Sequence, residues 1–225
     1  MRPTFFGTVA GAGAASPIAL VASVAADAPD GITSVTAPIN TTGATLLVAM
    51  TAYYVPGGVA TLTDSKSNTW TALTLYAGAN GAGRMYYCKN PVVGTGHTFT
   101  LTDDGGGADY NAVAVAAFSG TNTAENADGD NGATNASTAT LQPGSITPSL
   151  DNSVVVTGLM FNDNPPSGNA TINGGFTVAQ SKSSAVGYSV AIAYLVQATA
   201  AAANPTWTGP RTDIMTAAIS SFKQA

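Results

Sequence analysis

His97 is the chain's one imidazole. To act as a base or relay it needs a nucleophile on one side and a carboxylate on the other. Its sequence neighbours, Gly94-Thr95-Gly96 and then alternating Thr and Phe, supply neither. It reads as an ordinary surface histidine opening a strand. Cys88 is the one cysteine, so no intrachain disulfide forms. It stands 108 residues before Val196. A position that takes valine in a second copy is apolar, and Cys88 reads as a buried, inert thiol. Asp103, Asp104 and Asp109 bracket three glycines. Paired carboxylates serve glycoside hydrolysis, but around a glycine turn they are turn formers first, and no catalytic residue is expected.

Two further groupings bear on ligands. Asn126, Asp128 and Asp130 alternate oxygen ligands as a calcium loop does. The sixth position of that frame is Asn131, with Gly132 one residue late, and the twelfth is Ser137 where glutamate is required. A solvated loop is the expectation, with no metal and no cofactor. Trp70 and Tyr76, with Tyr53 and Tyr54, are the candidate glycan-stacking residues, because aromatic faces pack on apolar sugar faces. Trp70 and Trp207 both fall at strand positions, so the simpler expectation is that they plug the core. The glycine-rich stretch 78–83 lies between strands with no helix after it, which excludes a phosphate loop.

The elements that must carry these residues are strands. The apolar stretch 45–55 is rich in β-formers and reads as a central strand covered on both faces. Segments 69–76 and 84–89 read as a hairpin. Between 97 and 103, Phe99 and Leu101 alternate with threonines, so one face is buried and the other is wet or meets a partner. Tyr188, Val190, Ile192, Tyr194 and Val196 alternate most cleanly of all. The stretch 198–204 ends in Asn-Pro and reads as a loop. No stretch carries a helical period. In the first 26 residues, Gly7, Gly11, Gly13 and Pro17 interrupt the apolar run. Strands at 4–10 and 18–25 are expected there in preference to a signal peptide or a membrane span.

Spacing organises the whole. Leu46 and Val154 are 108 apart, as are Tyr86 and Tyr194, and Phe99 and Trp207; Phe118 and Phe222 are 104 apart. The expectation is an all-β fold, a two-sheet β-sandwich or jelly roll with an internal duplication. It is one domain over 1–225: N-terminal strands or arm at 1–31, a first half at 32–120, a connecting loop at 121–140, and a second half at 141–225. Two tandem small sandwiches are the alternative.

The run Asp64, Ser65, Asn68, Thr69, Trp70, Thr71, then Tyr86, Tyr87, Lys89, Asn90, then Val113, Val115, Ala116, Phe118, Ser119, Gly120 resembles a loosely defined family. It comprises β-sandwich proteins of tailed-phage virions and of bacterial surfaces or secretions. The resemblance implies a non-enzymatic role in particles, fibres or adhesion, with other virion proteins as partners and a homo-oligomer as the working form. It leaves a host-surface glycan open as a further partner, and a secreted or cell-surface carbohydrate-binding module as the alternative. Composition agrees. Only 8% of residues are charged against 45% hydrophobic, and the net charge is −5. The seven basic residues are dispersed, so neither nucleic acid nor a membrane surface is an expected partner.

Overall fold

The computed structural model describes residues 16–28, 33–54, 60–78, 80–103, 110–162, 167–185 and 187–225. Among these the regular elements are strands: β1 (Ala19–Asp27), β2 (Thr33–Val35), β3 (Leu46–Tyr53), β4 (Thr61–Asp64), β5 (Thr71–Ala77), β6 (Ala82–Lys89), β7 (Phe99–Thr102), β8 (Ala112–Ser119), β9 (Asp130–Leu141), β10 (Ser153–Asn162), β11 (Thr171–Ile172), β12 (Thr177–Lys182), β13 (Tyr188–Gln197) and β14 (Trp207–Phe222). All their pairings are antiparallel. One sheet has the order β1-β8-β3-β6-β5. A second runs β11-β14-β10-β13-β12, with β9 also on β14, and a small third sheet is β2-β7-β4.

Period two explains the layers. In β3, Leu46, Val48 and Met50 face the second sheet and share one core with Val154, Val156, Met160, Val190 and Ile192. Leu47, Ala49 and Tyr53, on the opposite face, pack under Phe99, Leu101 and Leu62 of the third sheet. Every residue of β3 is therefore buried, as a strand covered on both sides must be. The outer face of the second sheet is closed by residues of β11 and of the start of β14, strands of that same sheet. Leu159, Phe161, Ala191 and Met215 pack against Trp207 and Ile172. The fold is thus a sandwich whose two large sheets meet face to face, each roofed on its far side.

Pairs across the middle layer match. Tyr87 meets Phe222 at 5.4 Å between ring centroids, and Phe118 meets Tyr194 at 5.3 Å. Met50 lies over Gly158, 108 positions later, where a Cβ would overlap the Met50 side chain. Side chains also join the edges of the two large sheets at two seams. Ser23 donates to the Ala179 carbonyl at 3.1 Å, and Gln180 donates to the Ser23 hydroxyl at 3.0 Å, which joins β1 to β12. Thr74 N–H donates to Asp130 at 3.2 Å, joining β5 to β9. Contacts of this kind hinder stray pairing along these two seams.

Three expectations need correction. The stretch 121–140 is not all loop, because residues 130–141 form β9 against β14. Pairing to a long neighbour overrides the polar composition that argued for a loop. Register also departs from the 108-residue spacing expected for the tyrosines. Val48 pairs with Tyr87 and Val156 with Tyr194, so Tyr194 is in step with Tyr87 and not with Tyr86. Cys88, opposite Leu47, is accordingly in step with Leu195, opposite Val155. The burial expected for Cys88 holds. The strand expected over 18–25 is β1, the stretch 198–204 carries no strand, and the strand expected at 4–10 lies outside the described residues.

Candidate functional site

The densest chemistry gathers beneath the third sheet. Asp64 ends β4, and His97 lies two residues before Phe99 of β7. Their pairing with neighbours brings His97 Nε2 to 3.1 Å from Asp64 Oδ1, a close contact whose direction falls short of a hydrogen bond. The other ring nitrogen, Nδ1, is 2.9 Å from Thr41 Oγ1. The ring stacks on Phe99 at 4.4 Å. Asp64 is the hub. Its Oδ1 accepts the Lys66 N–H at 2.8 Å and the Asn68 side-chain amide at 3.2 Å, and its Oδ2 accepts the Trp70 indole N–H at 2.8 Å. Ser67 takes a positive φ of 59° to close that turn. Asn68 then ties the turn to Val92, donating to its carbonyl at 3.0 Å and accepting its N–H at 2.6 Å.

Electrostatics follow from this wiring. Burial alone would raise the Asp64 carboxyl. The Lys66 amide, the Trp70 indole, His97 and the Asn68 amide together outweigh it and hold the pKa below the ordinary value. Burial lowers the His97 pKa, against the pull of Asp64. A neutral ring with its proton on Nε2, toward Asp64, lets Nδ1 accept the Thr41 hydroxyl. The order Thr41, His97, Asp64 has the residue types of a nucleophile relay. The geometry denies it that work. Thr41 and His97 are 0% exposed, and so is the Asp64 side chain. The Thr41 hydroxyl also accepts the Gly94 N–H at 3.1 Å. A nucleophile must reach a substrate, and here the groups clamp a loop to a sheet. The sequence placed His97 on the surface. It is buried because Asp64, 33 positions earlier, supplies a partner that local sequence did not reveal.

The other candidates separate. Trp70 packs with the layer beneath the third sheet, edge-on to Phe99 at 6.1 Å, whereas Tyr76 packs into the middle layer. They share no face, so they make no joint platform. A bulge between Ala72 and Leu75 shifts the register and flips the phase that would have aligned them. The Arg84 guanidinium Nε donates to the Leu73 carbonyl at 2.7 Å inside that bulge. Trp207 is 0% exposed and donates to Thr157 at 3.0 Å, a core residue as expected. Of the calcium candidates, Asp128 accepts the Ser149 N–H at 2.5 Å and hydroxyl at 2.8 Å and lies 3.4 Å from Lys223. Burial would raise its pKa, but Ser149 and then Lys223 bring it below the ordinary value. Asp130 points to Thr74 and Tyr76 instead. Among the described residues no cluster of three or more His, Cys, Asp or Glu is placed to hold a metal. Burial, then Asp64, pushes the Cys88 thiol up to about 11. Asp103 is buried, while Asp104 and Asp109 lie outside the described residues.

One grouping went unread. Tyr54, Tyr110 and Tyr188 all occupy the inward phase of their strands or strand approaches and close one end of the middle layer. Tyr54 stacks on Tyr188 at 6.4 Å with an interplanar angle of 23°. A Cβ at Gly187 would overlap Tyr110, so that ring reaches across to the second sheet. The Tyr188 hydroxyl donates to the Asn80 carbonyl. Burial pushes its pKa up to about 12, with Tyr54 and Asp213 adding to the shift. The signal was the even numbering that Tyr54 shares with Leu46, Val48 and Met50.

No family model, no curated protein and no solved structure matches the chain.

Proposed function

We propose that this chain is a non-enzymatic structural protein of a bacteriophage virion, a capsid-decoration or tail or fibre component. It acts through protein–protein contacts as a homo-oligomer, on a sandwich built by duplication. One observation supports the reading: Thr41, His97, the Asp64 carboxylate and Cys88 are sealed inside, and the described outer faces include broad uncharged threonine rows. On the third sheet, register sets Thr33, Thr102 and Thr61 in one row and Val35, Thr100 and Thr63 in the next. At the far side of the molecule Thr140, Thr208 and Thr171 form a similar row. Hydroxyls and methyls without charge suit a close contact that carries no desolvated ion. The motif residues behind the family resemblance, Asp64, Asn68 and Trp70, serve that surface by clamping the loop beside it.

The test is mass spectrometry and cryo-electron microscopy of purified particles from the phage that encodes the chain. The reading expects the chain at fixed stoichiometry on a symmetric lattice, with a threonine face at a contact. Particles that lack it throughout would sink the reading.

A further inference from the structure

We infer that the outer face of the second sheet holds a binding site for one neutral sugar ring, in the hollow between residues 174–176 and 202–205. This rests on reading the chain as a binding protein without catalysis, and not on its residence in a virion. The hollow measures about 160 Å³. An apolar cavity of roughly 150 Å³ takes one benzene-sized guest, so the space suits a single six-membered ring. Phe176, Leu195, Ala203 and Pro205 line it, together with Gln197 and Asn204. Phe176 and Leu195 are half-buried, while Gly174, Ala202 and Asn204 at its rim are exposed, so the hollow reaches solvent. The chain on either side of every lining residue is described. Phe176 packs against the clusters that hold Trp207 and Ile219, which fixes its ring before a ligand arrives.

The first half shows that such a hollow is not a by-product of the fold. Its corresponding loops sit in the same frame: Ser65 with Thr98, and Asn173 with Thr206, make matching pairs of hydrogen bonds. Within that frame Lys66 corresponds to Gly174, Asn68 to Phe176 and Gly94 to Ala202. In the first half the end of the Lys66 side chain lies beside Gly94, where an added Cβ would come 3.5 Å from Nζ. Asn68 ties its loop to Val92 in both directions. In the second half a glycine replaces the long side chain, and a phenylalanine cannot make the tie. The space those groups take in the first half stays open in the second.

The lining selects the ligand. Among the described residues no charged side chain lines the hollow, so nothing waits for a sialic or uronic acid. Gln197 Oε1 accepts the Ala201 N–H at 3.4 Å, and its Nε2 meets no protein acceptor among the described residues. The Asn204 carbonyl accepts Gln142 Nε2 at 3.2 Å, which holds that corner and leaves the exposed side-chain amide to a ligand. A bare aromatic guest would cover these amides without giving them partners, which costs free energy. A sugar ring offers them hydroxyls and turns an apolar face to Phe176.

The experiment titrates the full, isotope-labelled chain with a panel of neutral monosaccharides and their methyl glycosides, and separately with phenol, and follows backbone amide shifts by nuclear magnetic resonance. Saturable shifts with at least one sugar are expected over 174–176, 195–197 and 202–205. The matching residues 66–68 and 94–97 stay still and serve as the internal control. Ala202→Leu fills the hollow from an exposed loop position and should weaken binding about tenfold or more. Gln197→Ala should weaken it about threefold or more by removing one amide. Phe176→Ala should abolish saturation; should it melt early because that ring also packs the core, Ala202→Leu decides. No shift with any sugar, shifts that map elsewhere, shifts with phenol alone, or indifference to Ala202→Leu overturns the site. A silent titration with the chain present in particles removes this inference and leaves the structural reading standing. Sugar shifts at the hollow with the chain absent from particles do the reverse.

Discussion

At position 97 the first half carries a histidine, and 108 residues on the second half carries Pro205. Around both, the chain is wired alike. Ser65 N–H donates to the Thr98 carbonyl at 3.0 Å and the Ser65 hydroxyl accepts the Thr98 N–H at 3.0 Å. Asn173, 108 residues after Ser65, repeats this with Thr206 at 3.2 and 2.7 Å. Inside that shared frame the chemistry differs. Asp64 gives way to Ile172, which packs beside Trp207, and the histidine gives way to a proline against Gly174. The same loop-on-sheet closure is thus made once with a buried polar hub and once with apolar contacts. A buried polar cluster is not required for stability, since apolar replacements of like volume often serve as well. The hub of the first half is best understood as a device that fixes one loop geometry.

Breaking the apolar version should cost most. Trp207→Ala empties a fully buried site and leaves Thr157 without its indole partner. A loss of about 3–5 kcal/mol is expected in urea unfolding. Trp70→Ala removes a partly exposed ring and should cost less than half as much. Equal losses would mean that the two roofs are not built differently. Asp64→Ala comes next, at about 3 kcal/mol, because it strips partners from the Trp70 indole, the Lys66 amide and His97 at once. Asp64→Asn, which retains one acceptor, should recover part of that in the same assay.

Gly158→Ala tests the middle layer that both halves share. The added methyl meets the Met50 side chain, and overpacking of this kind costs about 1–3 kcal/mol. Met50→Ala in the same chain should relieve the clash, so the double variant loses less than the sum of the two single variants. An additive result would contradict the contact.

The smallest effect is in pH. The folded His97 pKa lies below its ordinary value of 6.5 because burial disfavours the charged ring. Between those two values the unfolded chain holds the extra proton, so stability falls as pH drops below about 6.5 and is flat above it. Asp64, depressed from 3.8, adds a second loss as pH falls through its folded value. In His97→Gln the first decline should vanish and the second persist. The check is urea midpoints measured from pH 8 to pH 3. Pro205 gives the second half no counterpart.

The layers were legible in the sequence because period two is a local signal. Phe99 and Leu101 against threonines, and the full burial of 46–53, needed only neighbouring residues. What was lost depends on distant partners. β9 is rich in polar and small residues and becomes a strand because β14 lies alongside it. His97 is buried by Asp64 and Thr41, neither of which is near it in sequence. Trp70 and Tyr76 are six apart, which strict alternation places on one face, and a single extra residue in β5 separates them. Spacing of 108 aligned Tyr194 with Tyr86, and only the ladder shows it in step with Tyr87.

The most direct test is hydrogen exchange by mass spectrometry on the wild-type chain and on Asp64→Ala. If Asp64 is a clamp for one roof, exchange should rise over 60–70 and 92–102 while 171–178 and 205–209 stay as protected as before. Protection unchanged in the first pair, or lost equally in both, would contradict it.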